Sequence, residues 1–318
     1  MHDEKHLALV DTSRLIIQRG SKSFATAAKL FDEETRDNAY MLYAWCRHCD
    51  DVIDNQELGF HSQPQDTAIT RKVLDELREK TQAAIDDVPS DDPVFEGLRY
   101  VLKKNEIPGR YPLELLEGFA MDSKEHHYKT FDETLQYCYY VAGVVGVMMA
   151  YVMGTRDAAA LQRATDLGIA FQLTNISRDV REDALIERIY LPEEWLTEAG
   201  IPSNDLLNPA YSDELIKVVE RLLNEADRYY ASADQGLRAL GFRSAWAVAA
   251  ARGVYKAIGD KVRERGVNAL TERVIVRKRR KLLGVAEGMF DAAKASWLDK
   301  NEVPTPRDSN LWTAPPVH

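Results

Sequence analysis

Two pairs of aspartates are spaced in a way that suits metal chemistry. Asp50 and Asp54 are four residues apart, as are Asp179 and Asp183, and both pairs fall in stretches of helical hydrophobic period. Residues four apart lie on one helix face with Cβ atoms about 6 Å apart, and like charges so placed destabilise a helix by roughly 0.2–0.5 kcal/mol. Carboxylates on a shared face suit Mg²⁺, which keeps several waters and shares substrate phosphates. By spacing alone, two solvated acidic faces are an equally good interpretation.

The residues that precede each pair favour the metal interpretation. Tyr43 and Arg47 continue the face of the first pair at helical spacing, and Gln172 and Asn175 continue the face of the second. The second stripe emerges from the apolar run 167–176, so its side chains are predicted to point into the protein interior. Two such stripes facing each other could hold several Mg²⁺ ions and bind a diphosphate. The metals would then supply the positive potential that a chain of net charge −10 lacks.

The segment after the second pair offers further anion contacts. Arg188 and Tyr190 stand just before Pro192. An arginine and a tyrosine in a loop beside a metal–diphosphate site are candidates for charge-assisted phosphate contacts and for a flap that excludes water. The alternative is a surface loop that leads into the next helix at Pro192.

The elements that must position these residues are helices. Apolar residues recur with helical period along most of the chain, and alternating strand patterns and Asn-Gly or Asp-Gly turns are hard to find. The sequence therefore predicts an all-α fold, a single large helical domain, and the family resemblance described below adds a central cavity to this expectation. The predicted helices cover 4–19, 33–54, 66–86, 91–104, 131–153, 157–183, 211–235, 241–265 and 270–297.

Length and composition limit the classes of protein. A chain of 318 residues with 45% hydrophobic and 29% charged residues fits one soluble domain. We assign residues 1–300 to this domain and predict that 301–318, with four prolines, form a poorly ordered tail. The net charge argues against a general nucleic-acid binder. Three cysteines are too few for a disulfide framework and favour a reducing cytoplasm.

Three segments invite other interpretations. Residues 134–155 contain no charge, but their tyrosines and glycines favour a buried core helix over a membrane span. The pair Cys46 and Cys49 has redox spacing but lies within a predicted helix, so neither a redox nor a zinc role is expected. The basic run 277–281 is a solvated helix face or, alternatively, a contact for anionic lipid headgroups. We see no signal peptide in residues 1–10.

Taken in order, these motifs resemble the squalene and phytoene synthase family. The resemblance extends from about Gly20 to Lys281 and is strongest to bacterial phytoene synthases. One departure is Glu187, where many phytoene synthases have glycine; related dehydrosqualene synthases are similar to this chain there. The sequence blocks that carry the resemblance are SKSF at 21–24, MLYAWCRHCDDVID at 41–54, YCYYVAGVVG at 137–146, FQLTNISRDVRED at 171–183 and RIYLP at 188–192.

The resemblance implies an isoprenoid-synthase fold, three Mg²⁺ ions, and roles for particular residues. The implied metal ligands are Asp50, Asp54, Asn175, Asp179 and Asp183. Tyr43, Tyr137 and Tyr255 would lie near the reacting carbons. Diphosphate contacts would come from Ser21, Arg47, Gln172, Arg178, Arg188, Tyr190 and Arg273, and Phe24, Val141 and Gly146 would line the prenyl tunnel.

The implied reaction is the Mg²⁺-dependent condensation of two geranylgeranyl diphosphates, through prephytoene diphosphate, to phytoene. Mn²⁺ is an expected substitute, and NADPH is not expected. Dehydrosqualene or squalene synthesis from farnesyl diphosphate is the nearest alternative, and a catalytically silent carrier of prenyl lipids is the alternative from another class. A cytoplasmic protein is expected, with peripheral contact to lipids of the inner membrane face or to downstream carotenoid enzymes.

Overall fold

The computed structural model describes residues 2–53, 67–122, 127–298, 303 and 305–315. Within these residues the chain is helical and contains no strand, which confirms the predicted fold class. The helices are α1 His2–Gly20, α2 Lys22–Ala28, α3 Glu33–Ile53, α4 Thr67–Ile85, α5 Pro93–Asn105, α6 Arg110–Asp122, α7 Phe131–Cys138, α8 Val144–Val152, α9 Ala158–Leu185, α10 Glu193–Glu198, α11 Ser212–Asp234, α12 Phe242–Arg265 and α13 Lys278–Ala293.

Helix α9 lies at the centre of the fold. It packs against α8, α11 and α12, and its buried face includes Ile169 and Leu173, both fully inaccessible to solvent. Helix α3 packs against α1 and α5, and its side chains Met41, Leu42 and Trp45 are also fully or almost fully buried. The two helices that carry the aspartates are therefore fixed by large apolar contacts.

Most of the uncharged stretch, residues 134–152, belongs to one continuous helical run, Phe131–Val152. In this run α7 and α8 are joined by a wider π-helical turn at Tyr139–Gly143. By length and composition this run could cross a membrane, but its residues pack mostly inside the protein against α6 and α9. Close approach of this run to α9 explains Gly146 on the one helix and Gly168 on the other. A Cβ on Gly146 would lie 2.3 Å from the Ala164 carbonyl oxygen, and one on Gly168 would lie 2.2 Å from that of Ala142.

Most predicted helices are present, with three additions and one shortened end. Helices α2, α6 and α10 are absent from the prediction because they are short or begin at proline-rich breaks. The last predicted helix, 270–297, was placed too early, since α13 begins only at Lys278 after a 3-10 turn and an extended segment.

The prediction of a poorly ordered tail does not fit residues 305–315. Arg307 forms an ion pair with the fully buried Asp166 of α9, at 2.8 Å between Nη2 and Oδ1. Leu311 is 3% exposed, and the Trp312 amide donates to the Tyr229 hydroxyl at 3.1 Å. The prolines prevent a helix here, but the segment is held in place by the Arg307–Asp166 ion pair, the buried Leu311 side chain and the Trp312 backbone amide.

Candidate active site

A cavity of about 610 Å³ runs along one face of α9. The lining residues of this helix recur every three or four positions from Ala160 to Arg178, a distance of about 27 Å at 1.5 Å per residue. One end is lined by Arg47, Asp50 and other polar groups, and we call it the polar end. Most of the remaining wall is apolar. A cavity with this division suits a ligand with an anionic head and a long hydrocarbon tail.

The stripe on α3 reaches the polar end as the sequence predicts. Tyr43, Arg47 and Asp50 line the cavity. The Arg47 guanidinium pairs with Asp50 at 3.1 Å and with Asp51 at 2.7 Å. Asp54, the expected partner of Asp50, lies outside the described residues.

The stripe on α9 approaches the same end from the opposite wall. Gln172, Asn175 and Arg178 line the cavity, and Arg178 holds Asp179 through two hydrogen bonds, one of them 2.7 Å long. Arg273, placed just before α13, also donates to Asp179, at 3.1 Å. Arg273 therefore joins this cluster across 94 positions of sequence.

Asp183 has an unusual ionisation. Burial, together with the nearby charges of Asp179 and Asp122, raises the pKa of Asp183 to about 8, and Arg188 only partly opposes this shift. A carboxylate held among other carboxylates binds a proton or a cation much more readily than an isolated one. The position is thus suited to a cation.

Two buried polar atoms at the polar end have no hydrogen-bond partner among the described residues. They are the Asn175 Oδ1 oxygen and the Arg47 Nε nitrogen. An unsatisfied buried group costs about 1–3 kcal/mol, so each invites a ligand. The amide oxygen is a hard donor suited to a divalent cation, and the N–H is suited to a phosphate oxygen. Over the described residues, no three His, Cys, Asp or Glu side chains form a metal cluster by themselves.

Aromatic rings line the cavity next to the polar end. Phe171 and Tyr255 stack with ring centroids 4.1 Å apart, and the Phe24 ring lies 5.8 Å from that of Tyr255. Burial raises the pKa of Tyr43 and of Tyr255. Both are therefore neutral phenols at physiological pH, which can donate a hydrogen bond or present a ring face to a cation.

Asp122 is a site residue that sequence reasoning missed. It lines the cavity at the end of α6 and accepts a hydrogen bond from the Tyr137 hydroxyl at 3.0 Å. Tyr137 in turn stacks on Tyr190, with ring centroids 4.8 Å apart. The sequence held one indication of this role. An acidic residue in the last turn of a helix interacts unfavourably with the helix dipole, so its presence there indicates a function other than helix stability.

The structure brings most of the expected residues to this cavity. Five expected residues, Asp179, Asp183, Arg188, Tyr190 and Arg273, do not line it. The contacts and charges described above connect Asp179, Asp183 and Tyr190 to lining residues. Arg273 is connected to Asp179, and Arg188 to Asp183. Those that line it are Ser21, Phe24, Tyr43, Arg47, Asp50, Tyr137, Val141, Gly146, Gln172, Asn175, Arg178 and Tyr255.

Glu187, the departure noted in the sequence, has a left-handed backbone with φ of 61°. Glycine adopts this conformation without the steric cost that a Cβ brings. We expect Glu187→Gly to raise the free energy of unfolding by about 0.5–1 kcal/mol, measured by urea denaturation. Glu182→Gly, inside α9, is the matched control and should lower it by about 1 kcal/mol. Equal destabilisation by both changes would contradict the prediction.

The helical body of the described residues, around a cavity with a charged end and a long apolar wall, fits an isoprenoid synthase. A family model described as squalene/phytoene synthase matches residues 17–280. The chain belongs to the squalene/phytoene synthase family.

Curated relatives extend over nearly the whole chain. A phytoene synthase of Pseudescherichia vulneris is 46% identical over 96% of this chain and 98% of its own. A 15-cis-phytoene synthase of a Paracoccus species is 48% identical over 90% and 93%. Among solved structures, a dehydrosqualene synthase in complex with ligand superposes with a TM-score of 0.81 at 27% identity, covering 90% of this chain and 96% of that one.

Proposed function

We propose that this protein is a phytoene synthase, a prenyltransferase that joins two molecules of geranylgeranyl diphosphate. The observation that carries the proposal is the 45–48% identity to bacterial proteins named phytoene synthase, over at least nine tenths of the chain. The first half-reaction yields prephytoene diphosphate, diphosphate and a proton. The second yields phytoene, diphosphate and a proton. Dehydrosqualene synthesis is the second candidate, favoured by Glu187 and by the 27% identical structural neighbour.

We assign Mg²⁺, or Mn²⁺ in its place, to the polar end. Asp50, Asn175, Asp179 and Asp183 would hold the ions, and Asp54 stays a predicted ligand outside the described residues. The orphan Asn175 oxygen and the raised pKa of Asp183 support this donor set. Ions held there would supply charge neutralisation of the diphosphate leaving group, which would favour cleavage of the allylic C–O bond.

The arginines at the polar end would hold the diphosphates. Arg47 has an N–H without a partner among the described residues and lines the cavity, so it can donate to a phosphate oxygen. Arg178 and Arg273 both donate to Asp179, and they would become available to a diphosphate if a cation were bound to that carboxylate. Arg188, Tyr190, Ser21 and Gln172 stay predicted diphosphate contacts.

The aromatic residues would stabilise the cations formed after ionisation. Tyr43, Phe171 and Tyr255 present rings within the cavity, and each ring face is worth about 1–2 kcal/mol to a desolvated cation. Their raised pKa values make Tyr43 and Tyr255 poor acids, so these phenols stay neutral beside the cation. The released diphosphate is the proposed acceptor for the two protons.

The direction of the Asp183 shift predicts how metal binding depends on pH. Because this carboxyl is protonated below about pH 8, binding of Mg²⁺ must displace a proton. Affinity should rise with pH between about 6 and 8, by up to about tenfold per unit, and level off above. Stability of the metal-free protein should fall over the range from about pH 4 to 8, because the folded state binds the proton more tightly than the unfolded chain.

Calorimetry in two buffers of different ionisation enthalpy measures the proton released on Mg²⁺ binding at pH 7. Asp183→Asn should abolish most of this release, whereas Asp213→Asn, on α11 outside the cavity, should preserve it. A metal affinity that is flat from pH 6 to 8 would contradict the assigned role of Asp183.

Product analysis tests the proposed function. Purified protein is incubated with Mg²⁺ and either geranylgeranyl or farnesyl diphosphate, with and without NADPH. Phytoene from the longer substrate, unaffected by NADPH and abolished by a chelator, is expected. A thirty-carbon product would replace the proposal with dehydrosqualene or squalene synthesis. Tight binding of either substrate without turnover would overturn the proposal of an enzyme and would indicate a carrier of prenyl lipids.

We also propose that the protein is cytoplasmic and contacts an anionic lipid surface through α13. One face of α13 packs closely on α12, where Gly288 approaches the Ala250 backbone. The other face exposes large apolar side chains and follows the basic run 277–281, a combination that suits anionic lipids. The apolar residues around this face are Ile275, Leu282, Leu283, Met289, Phe290 and Trp297, each at least 46% exposed.

Cosedimentation with vesicles of phosphatidylglycerol tests this surface. Leu282→Ser with Phe290→Ser should reduce binding, and Arg277→Gln with Arg279→Gln should reduce it mainly at low salt. Leu7→Ser, at a 60% exposed position of α1, is the matched control and should bind normally. Normal binding by both double variants, or a dimer that covers this face, would overturn the proposal. Contact with downstream carotenoid enzymes stays a prediction.

A further inference from the structure

Among the described residues, one charged side chain lines the cavity far from the polar end. Arg163 lies on the lining face of α9, 15 positions before Arg178, which corresponds to about 22 Å. It is 8% exposed, and the lining residues around it are apolar or small, among them Ala160, Ala164 and Leu237. No diphosphate bound at the polar end can reach it, so its charge has another use.

Hydrogen bonds fix the Arg163 guanidinium from two sides. Nη1 donates to the Ser232 hydroxyl at 2.6 Å, and Nη2 donates to the Thr305 carbonyl at 2.7 Å. Ser232 also hydrogen-bonds Asp166, whose buried carboxylate is paired with Arg307. The guanidinium is therefore tied to α11 and to residues 305–315, which we call the C-terminal strap.

The stem of Arg163 is fixed as well. A Cβ on Gly236, another lining residue, would lie 2.7 Å from the Arg163 Cβ. The absence of a side chain at 236 thus lets the stem of Arg163 fit against the short segment between α11 and α12. Together the stem and the guanidinium form a rigid, charged closure beside an otherwise apolar wall.

We infer that Arg163, held by the C-terminal strap, is the floor of the prenyl tunnel and sets the longest chain that the enzyme accepts. This inference rests on the proposed function. A chain one isoprene unit too long must displace a guanidinium that lies in a largely buried position, and the displaced charge loses both of its hydrogen bonds. A shorter chain, which ends before it reaches Arg163, leaves the guanidinium and both of its hydrogen bonds in place. The enzyme then discriminates between chain lengths by excluding longer chains, rather than by binding shorter chains more tightly.

Replacement of Arg163 should extend the accepted length without unfolding the protein. In Arg163→Ala, Asp166 keeps its ion pair with Arg307, so this buried carboxylate is not left uncompensated. We expect the ratio of kcat/KM for the twenty-five-carbon diphosphate over the twenty-carbon diphosphate to rise about tenfold or more. Arg163→Met restores most of the volume without the charge and should show a smaller rise.

Non-reactive thiolodiphosphate analogues of both lengths separate this inference from the proposed function, because their binding requires no turnover. Calorimetry should show a gain in affinity for the longer analogue in Arg163→Ala and none in Arg243→Ala, a control on α12 whose arginine does not line the cavity. A native melting temperature with an unchanged affinity ratio would overturn the role of Arg163. Inactivity of the wild type toward both substrates, with the affinity shift present, would overturn the proposed function alone.

Discussion

Replacement of Asp50 by asparagine is expected to lower kcat by about two to three orders of magnitude, the loss typical of one electrostatic group aimed at developing charge. The carboxamide would keep the shape of the side chain and lose the charge that holds a cation at the polar end. The fold should be unaffected, because the Asp50 side chain is 37% exposed and Arg47 retains its bond to Asp51.

Steady-state turnover of geranylgeranyl diphosphate and thermal unfolding, measured side by side, test the Asp50 prediction. Asp75→Asn, at a 75% exposed position of α4, is the matched control and should leave both quantities unchanged. Retention of more than a third of wild-type kcat in Asp50→Asn would exclude Asp50 as a metal ligand.

The second large effect concerns stability. Asp166→Asn is expected to lower the free energy of unfolding by about 3–5 kcal/mol, since it leaves buried arginines without their counter-charge. Asp166 is inaccessible to solvent, and its carboxylate accepts from Arg307 and Ser232. Burial already lowers the pKa of Arg163, and Asp166 is the charge that opposes this shift. Denaturant unfolding measures the loss directly.

A double-mutant cycle shows whether the loss belongs to the ion pair. Arg307→Met removes the cation that occupies the same buried contact. The double variant Asp166→Asn with Arg307→Met should be less destabilised than the sum of the two single changes, by at least about 1 kcal/mol. Simple additivity would show that Asp166 acts through other contacts.

The sequence predicts those parts of the site that depend on local order. Tyr43, Arg47 and Asp50 share a face because helical geometry puts residues three or four apart together, and the same holds for Gln172 and Asn175. Their burial follows from the apolar residues around them. Local pattern also places the uncharged stretch in the core.

Contacts between residues far apart in the chain could not be predicted from the sequence. Nothing near Asp122 indicates that Tyr137 will donate to it, and the polar composition of residues 305–315 conceals that Arg307 pairs with Asp166 across 141 positions. Such pairs depend on how the helices are arranged in space, which no period in a single sequence records. The same limit explains why Arg163 was not recognised as a lining residue.

The C-terminal strap also has a consequence for synthesis of the chain. Residues 305–315 are translated after all the described helices, so any packing of α9 against α11 before the chain is finished takes place while Asp166 still lacks Arg307. In a nascent chain that ends before position 305, the Asp166 carboxylate of α9 lacks its partner Arg307. Arg163, the proposed floor of the tunnel, lacks its hydrogen bond to the Thr305 carbonyl. Stop codons shortly before position 305 should therefore yield a protein that retains its helices but is unstable, cleared by proteolysis, and less strict about chain length.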